Sequence, residues 1–345
     1  MRHIHWMAPY SRRGRSILAL ATSAAILLGS ANANAQTAAK DATADFGTVT
    51  VGYTKTIAAL SAMVAERLAP KYGLKIESVT FNNAVDVTTA MVNGQIDVGI
   101  LTAAHVIRSV DTNLDFLEIA GNSRGNVSII AATKLGLQPG DWKGLLETTK
   151  KRKLRIASSR GSINELLSIA SFVQNGLDVD KDFELVNIAN FAQHAQALRS
   201  GEFDLVFCTE PSGSLMVDEG IGIRFSKSDI TPAGGVHTNY SVRRDWLEKN
   251  PAKAKALIKV MREATEWLNA DKDRTLAEAR KGFPMKPEAL ALALEQNKWD
   301  MDVALSETQA LAKIGVDRKY VSRDVSGDLP KVLNDSVLKD VIAGK

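Results

Sequence analysis

Polar side chains follow the predicted strands of this 345-residue chain at positions where they could bind one small molecule. Parallel strands end at a common edge of their sheet, and α/β proteins bind ligands at that edge. Hydroxyl, amide and ammonium groups that follow the first three predicted strands are therefore candidate ligand contacts: Tyr53, Thr54, Lys55, Asn82, Asn83 and Thr102. Asn82 or Asn83 could instead cap the next helix, and Thr54 could be a turn residue.

A loop of small polar residues around one arginine lies between a predicted strand and a helix that begins near Ile163: Ser158, Ser159, Arg160, Gly161 and Ser162. Unpaired N–H groups at a helix start attract anions, and the helix dipole reinforces the attraction. The Arg160 guanidinium could contact a carboxylate or sulfonate with two N–H groups, while Gly161 would let a ligand approach the backbone. We therefore predict a negatively charged ligand at this loop.

The same residues contain a helix-capping signal. Ser162-Ile163-Asn164-Glu165 has the S-x-x-E pattern of a capping box, which satisfies the free N–H groups of a helix start internally. Glu165 would also repel an anion at short range. Arg160 would then be a solvated charge or an ion-pair partner of Glu165. The sequence leaves both interpretations open.

Strand and helix signals alternate over much of the chain. β-branched and apolar runs predict strands, and apolar positions at helical spacing lie between them; the strands fall at 48–51, 75–81, 96–101, 154–157, 183–188 and 204–207. This βαβαβ order, present twice, implies parallel strands. Residues 91–98 and 198–205 also resemble each other, because both run from a helix end through Gly to a strand that opens with Asp. We therefore predict two similar α/β lobes, followed by further helices.

The first 35 residues have the composition of a secretory signal peptide. Four arginines and no acidic residue lie at its start, followed by an apolar run over residues 17–28 and by Ala33-Asn34-Ala35, which fits a signal-peptidase site. The apolar run is too short to span a bilayer as a helix. These arginines account for the whole excess of 43 basic over 39 acidic residues. The rest of the chain is formally neutral, so no nucleic-acid partner is predicted.

Five segments occur in an informative order: Val49–Tyr53, Ala90–Gly99, Ser158–Ser162, Glu210-Pro211 and Val242–Pro251. In this the chain resembles the periplasmic solute-binding proteins of ABC importers, in the nitrate/sulfonate/taurine and thiamine-precursor group. The resemblance covers about residues 48–270 and, more loosely, the C-terminal part. It differs after the third strand, where Thr102-Ala103-Ala104-His105 replaces the Gly and Pro of many members. The resemblance therefore does not identify the ligand.

The resemblance implies a type II periplasmic-binding-protein fold. In that fold two doubly wound α/β lobes are joined by two crossing strands, the ligand lies in the cleft between them, and the C-terminal part is helical. The crossings would lie near residues 123–132 and 234–242. Lobe one would comprise residues 46–128 and 236–345, and lobe two residues 129–235.

Three further side chains are candidate contacts because of where the resemblance places them: Arg124, Glu210 and His237. Arg124 and His237 lie on the presumed crossings and could point into the cleft, although His237 could equally have a structural role. Glu210 ends a strand of lobe two. It could accept a hydrogen bond from a ligand amine or from Tyr53, or it could be a solvated loop residue.

Enzymatic chemistry has one candidate motif. Gly121-Asn122-Ser123-Arg124-Gly125 matches the hydrolase pattern G-x-S-x-G, which in hydrolases forms a sharp turn between a strand and a helix. Here a β-branched run over residues 126–130 follows, which favours a turn that leads into a crossing strand. A secreted serine hydrolase using Ser123 remains the alternative function.

Metal and cofactor signals are weak. Beyond residue 35 the histidines are His105, His194 and His237, and none has the helical spacing of a metal-ligand pair. Cys208 is the one cysteine, and no Gly-rich dinucleotide or phosphate loop stands at the required position. We predict no metal and no cofactor, and we expect His194 at the surface.

These features predict a periplasmic, monomeric binding protein that is not an enzyme. It would capture a small anionic solute of the sulfonate, nitrate or carboxylate class and deliver it to an ABC permease in the inner membrane. A ligand-sensing subunit of a membrane receptor would have the same sequence features.

The signal-peptide assignment predicts a mature protein that begins at Gln36, because the small residues Ala33 and Ala35 direct cleavage after residue 35. Mass spectrometry of the exported protein measures this N-terminus. Membrane-bound material that retains residues 17–28 would contradict the prediction.

Overall fold

The computed structural model describes residues 44–227 and 233–344, so the predicted signal peptide lies outside the described residues. The strands are β1 (Gly47–Thr54), β2 (Leu74–Phe81), β3 (Val98–Thr102), β4 (Phe116–Gly125), β5 (Val127–Ala132), β6 (Leu154–Ser158), β7 (Phe183–Asn187), β8 (Leu205–Thr209), β9 (Gly222–Lys227), β10 (Val236–Arg243) and β11 (Asn297–Trp299). They form two mixed sheets, and the helices pack against both.

The helices are α1 (Leu60–Leu68), α2 (Ala84–Val92), α3 (Ala103–Asp111), α4 (Trp142–Thr149), α5 (Ile163–Gln174), α6 (Val179–Asp182), α7 (His194–Arg199), α8 (Ser212–Asp218), α9 (Arg244–Lys249), α10 (Pro251–Ala270), α11 (Lys272–Gly282), α12 (Pro287–Leu294), α13 (Leu305–Asp317) and α14 (Ser336–Ile342). The longest, α10, buries Leu257, Val260, Met261 and Ala264 on one stripe, as its spacing predicts. In the described part of the chain, no helix has the length and apolar content needed to cross a membrane.

The two sheets share one arrangement of strands. The first has the order β11-β4-β10-β3-β1-β2, with β1 parallel to β2 and β3. The second has the order β7-β6-β8-β5-β9, with β6 parallel to β7 and β8. In each sheet the first strand of a βαβαβ unit therefore lies between the second and the third, as in doubly wound folds. Antiparallel strands complete both sheets.

The repeated Gly and Asp of the two similar segments occupy equivalent positions. Gly94 and Gly201 have φ of 68° and 78°, the left-handed conformation that ends a helix. The Asp97 carboxylate then accepts from the Thr50 N–H of β1 at 2.9 Å, and the Asp204 carboxylate accepts from the Arg155 N–H of β6 at 2.9 Å. Each Asp thus ties the third strand of its unit to the first, so the sequence echo has a structural cause.

The chain changes sheet between β4 and β5, at Asn126, and β10 lies in the first sheet beside β4. Asn126 is 1% exposed and has a φ of 69°. The second sheet thus contains β5 from Val127 onward, two residues before the predicted boundary of lobe two. The assignment of residues 46–128 and 236–345 to one lobe and 129–235 to the other stays a prediction.

The expected turn at residues 121–125 is wrong, because these residues belong to β4 and pair with β10 and β11. Gly121 is required by close packing, since a Cβ there would lie 2.1 Å from the Asp302 carbonyl oxygen. The glycines of this motif therefore admit the C-terminal segment against a strand. A local reading of Gly as a turn signal could not reveal that distant contact.

A buried carboxyl group lies in the same strand. Glu118 is 1% exposed, and the Ser241 hydroxyl of β10 donates to its Oε2 at 2.5 Å. Burial raises the pKa of Glu118 to about 7, against a smaller opposing effect of the Ser241 hydrogen bond. The folded protein therefore holds a proton at Glu118 at pH values where the unfolded chain has lost it.

Because its folded-state pKa is raised, Glu118 should make the protein less stable as the pH rises from 4.5 to about 7. One pKa unit corresponds to about 1.4 kcal/mol, so the loss attributable to Glu118 is about 3 kcal/mol. Glu118→Gln should remove it, which urea unfolding at pH 5 and pH 8 measures. Glu248→Gln, at an exposed position, is the control. Parallel pH profiles of the wild type and Glu118→Gln would contradict the assignment.

Candidate functional site

A cavity of about 60 Å³ lies where strand ends of the two sheets face each other. The first sheet contributes Thr54 at the end of β1 and Thr102 at the end of β3. The second contributes the loop after β6 and Thr209 at the end of β8. Polar groups at four strand ends thus surround one enclosed space.

Eight of the predicted contacts line this cavity: Thr54, Asn83, Thr102, Ser159, Arg160, Gly161, Ser162 and His237. Asn83 also caps α2, since its Oδ1 accepts from the Asp86 N–H at 3.0 Å. The cap and the cavity position are therefore compatible. The rule that ligand groups follow strand ends selected residues from both sheets that the fold brings together.

Four predicted residues at strand ends lie elsewhere. Tyr53 is 3% exposed and belongs to the apolar core, and Asn82 faces solvent. The Lys55 ammonium lies 6.0 Å from the centre of the Phe283 ring, outside the cavity. Ser158 is completely buried at the end of β6 and does not line the cavity. Side chains alternate along a strand, so neighbouring residues at one strand end face different surroundings.

Arg124 does not line the cavity, contrary to the expectation that it could point there. Its guanidinium pairs with three carboxylates of the C-terminal segment: Nη1 with Glu307 at 2.8 Å, Nη2 with Asp302 at 2.9 Å, and Nε with Asp300 at 3.2 Å. The ion pairs direct the side chain away from the cavity. They attach the C-terminal segment to β4.

Glu210 is also used internally. Its side chain is completely buried, with Oε1 2.5 Å from Arg224 Nη1, and Oε2 accepts from the Ser214 N–H at 2.9 Å. It neither lines the cavity nor faces solvent. Arg224 lies 14 residues further along the chain on β9, so no local pattern revealed the pair.

The loop before α5 combines the capping interaction with a place in the cavity wall. The Ser162 Oγ accepts from the Glu165 N–H at 3.3 Å, as the capping box predicts. Arg160 Nε lies 3.5 Å from Glu165 Oε2. The N–H groups of Ile163 and Asn164, however, find no acceptor among the described residues. Both sequence interpretations therefore hold in part, because the cap satisfies one N–H group and leaves two.

Gly161 sits at a close approach between this loop and the C-terminal segment. Its φ is 68°, and a Cβ there would lie 3.0 Å from the Tyr320 ring. A side chain at this position would be strained and crowded. Glycine thus lets the loop turn toward the cavity with Tyr320 behind it.

Two buried histidines line the cavity from the first sheet and α3. Burial lowers the pKa of His105 to about 4 and that of His237 to about 3. His105 Nδ1 lies 2.8 Å from the Thr102 hydroxyl, and His237 Nδ1 lies 3.2 Å from Ser123 Oγ. Both rings are therefore neutral at pH 7, and protein groups occupy their Nδ1 atoms. His194, expected at the surface, is instead buried, with Nε2 2.9 Å from the Ile188 carbonyl oxygen.

Several cavity residues were not among the candidates, notably Thr56, His105, Asn164, Phe191 and Thr209. The strand-end rule that selected Thr102 applies equally to Thr209 and could have found it. Asn164 lies in the first turn of α5 within the capping-box pattern, where its role in the cavity had no separate signal.

The hydrolase motif does not form a catalytic site. Ser123 is 3% exposed within β4, and its hydroxyl lies 2.7 Å from that of Thr238. In the described part of the chain, no carboxylate hydrogen-bonds to His237, and its lowered pKa makes it a weak base. The orienting acid and the exposed nucleophile of a serine hydrolase are therefore not assembled at Ser123.

Known proteins share parts of this chain. YtlA of Bacillus subtilis strain 168, named as a binding protein, is 23% identical over 209 residues, which are 58% of this chain and 59% of YtlA. The bicarbonate-binding protein CmpA of Synechococcus elongatus is 25% identical over 162 residues, 46% of this chain and 36% of CmpA. The chain thus spans less than two thirds of the length of these curated relatives.

The fold has a close solved counterpart. The periplasmic nitrate-binding protein NrtA from Synechocystis PCC 6803 matches with a TM-score of 0.77 at 17% identity, covering 86% of this chain and 88% of NrtA. Together with the two sheets and the cavity between them, this likeness defines a two-lobed protein with the periplasmic-binding-protein fold, which confirms the predicted fold class. The chain belongs to the NMT1-like family, whose model matches residues 42–281.

A serine-directed fluorophosphonate probe should not label the folded protein, because the Ser123 hydroxyl is buried and its His237 neighbour has no acidic partner among the described residues. Gel fluorescence of the labelled protein measures this. Labelling that disappears in Ser123→Ala would contradict the prediction and revive the hydrolase alternative.

Proposed function

We propose that this protein is the extracytoplasmic solute-binding component of an ABC importer. The observation that carries the proposal is the cavity enclosed by strand ends of both sheets, with the start of α5 in its wall. A small solute there would contact both lobes at once. Two proteins similar to this chain are named for binding bicarbonate and nitrate, which supports the same class of function.

The solute is proposed to be a small anion of the sulfonate, nitrate or carboxylate class. The Ile163 and Asn164 N–H groups have no acceptor among the described residues, and they lie at the positive end of a 12-residue helix. Arg160 adds a guanidinium at the cavity wall. Its neighbour Glu165 partly opposes the attraction, so the arginine would bind best if it moved toward the ligand.

Capture of the solute is proposed to stabilise the arrangement in which the lobes touch. The Ile57 N–H donates to the Glu210 carbonyl oxygen at 3.2 Å across the two lobes. Lys286 pairs with Asp218 at 3.0 Å, and Arg318 with Asp180 at 3.1 Å. Exposed ion pairs of this kind contribute little, about 0–1 kcal/mol each. Contacts of a ligand with both lobes would supply the differential affinity that closure requires.

The proposed setting is the periplasm, with residues 1–35 as a cleaved signal peptide and an ABC permease of the inner membrane as the partner. We propose a monomer that binds no nucleic acid and catalyses no reaction. A receptor subunit would use the same cavity. Co-purification from membranes separates the two, since a permease supports import and a sensor kinase supports the receptor.

Arg160→Ala should weaken binding of the anionic solute by about 1.5–3 kcal/mol, the usual contribution of a hydrogen bond to a charged group. A thermal-shift screen of nitrate, sulfonates and carboxylates identifies the solute, because a ligand at a hundred times its Kd stabilises by about 2.7 kcal/mol. Calorimetry then measures both affinities. Arg199→Ala is the control, since Arg199 pairs with Glu219 away from the cavity. A neutral ligand, or equal affinity in Arg160→Ala, would contradict the anion site.

A further inference from the structure

One side chain in the cavity wall has hydrogen-bonding groups that the protein leaves unused. Asn164 is 0% exposed, lies in the first turn of α5 and lines the cavity. Neither its Oδ1 nor its Nδ2 has a hydrogen-bond partner in the described part of the chain. Across the same cavity, the Thr209 hydroxyl is 3% exposed and also without a partner there. Buried polar groups of this kind are rare in folded proteins.

The Asn164 carboxamide differs from the other free groups because it needs both kinds of partner. Its Nδ2 donates and its Oδ1 accepts. The Thr209 hydroxyl can take either role, so it does not discriminate between ligands. The N–H groups of Ile163 and Asn164 only donate. A ligand with acceptor atoms alone would satisfy every donor and leave the Asn164 Oδ1 buried without a partner.

The charges around the cavity do not override this requirement. Among the described residues that line it, Arg160 is the one charged side chain, and Glu165 lies 3.5 Å from its Nε. His105 and His237 are neutral, since burial lowers the pKa of both. The site therefore resembles a set of dipoles more than a cluster of cations. Hydrogen-bond matching then decides between ligands of equal charge.

We infer that the ligand carries an O–H or N–H group beside its acceptor oxygens, and that this group donates to the Asn164 Oδ1. The inference rests on the proposed function, because it concerns the same cavity and the same solute. It narrows the class to small molecules with a donor and an acceptor on adjacent atoms of one planar group. Hydrogen carbonate, a carboxylic acid and an amide or imide have this edge, whereas nitrate and a deprotonated sulfonate do not.

A stability measurement tests the inference without any ligand. Leucine has the branching of asparagine and no polar atoms, so Asn164→Leu should raise the melting temperature of the ligand-free protein by about 2–4 °C. Asn175→Leu, at the other end of α5, is the matched control. Asn175 Nδ2 donates to the Ser171 carbonyl oxygen at 2.7 Å, so leucine there should give no rise. A lower melting temperature in Asn164→Leu would overturn the inference, because it would mean that the amide has protein partners.

Two matched pairs of probes test the recognition itself by calorimetry at pH 8. Hydrogen carbonate and nitrate are planar, have one negative charge and differ in one O–H group. Succinimide and N-methylsuccinimide differ in one N–H group and have no charge. The donor-bearing member of at least one pair should bind tenfold or more tightly than its match, a ratio that corresponds to about 1.4 kcal/mol. Asn164→Leu should abolish that preference, and Asn175→Leu should keep it.

The outcomes separate this inference from the anion site. Nitrate binding as tightly as hydrogen carbonate, or a preference that survives in Asn164→Leu, would overturn the inference and leave the anion site intact. Preference for succinimide with no binding of either anion would support the inference and overturn the anion site. If no probe binds, the stability comparison alone decides the inference.

Discussion

The antiparallel pairing of β10 with β4 is the interaction on which the rest of this structure depends. β4 leads through Asn126 into the second sheet, and β10 lies beside it in the first. Because the two strands run side by side, the connections between the lobes are adjacent, and the lobes can move only about a narrow common axis. The same strands supply His237, Thr238 and the buried Ser123, so the hinge and the cavity wall are one piece of structure.

A buried polar network joins that hinge to the first helix of the chain. The Asn122 amide donates to the Ala58 carbonyl oxygen and to the Thr238 hydroxyl, both at 3.0 Å, and its Oδ1 accepts from Ser61 at 2.5 Å. Such a network gains little net stability over an apolar core, yet its geometry admits few alternatives. It fixes the position of the loop after β1 relative to the crossing strands. The cavity is therefore bounded on this side by groups that hold one another, while Asn164 on the other side is left for a ligand.

Features set by local chemistry could be predicted from the sequence. Strand and helix alternation, the caps at Asn83 and Ser162, and the left-handed glycines at helix ends depend on neighbouring residues, and they were found. Thr54 and Thr102 were found because strand direction places them at one edge. Arg124 and Glu210 obeyed the same rules and still lie outside the cavity. Their partners are Glu307, 183 residues away, and Arg224 on another strand. Neither partner leaves a trace in the local pattern.

The placement of α13 has a consequence for how the molecule opens. Glu307 in its first turn is held by Arg124 of the hinge, and Arg318 just past its end is held by Asp180 of the other lobe. A helix of 13 residues is about 20 Å long, so a rotation of about 10° at the hinge would displace the far end by about 3 Å. Such a displacement breaks an ion pair while the hinge itself has barely turned. The helix thus acts as a lever whose tip engages a catch, and the cleft should open in one step, with intermediate angles little populated.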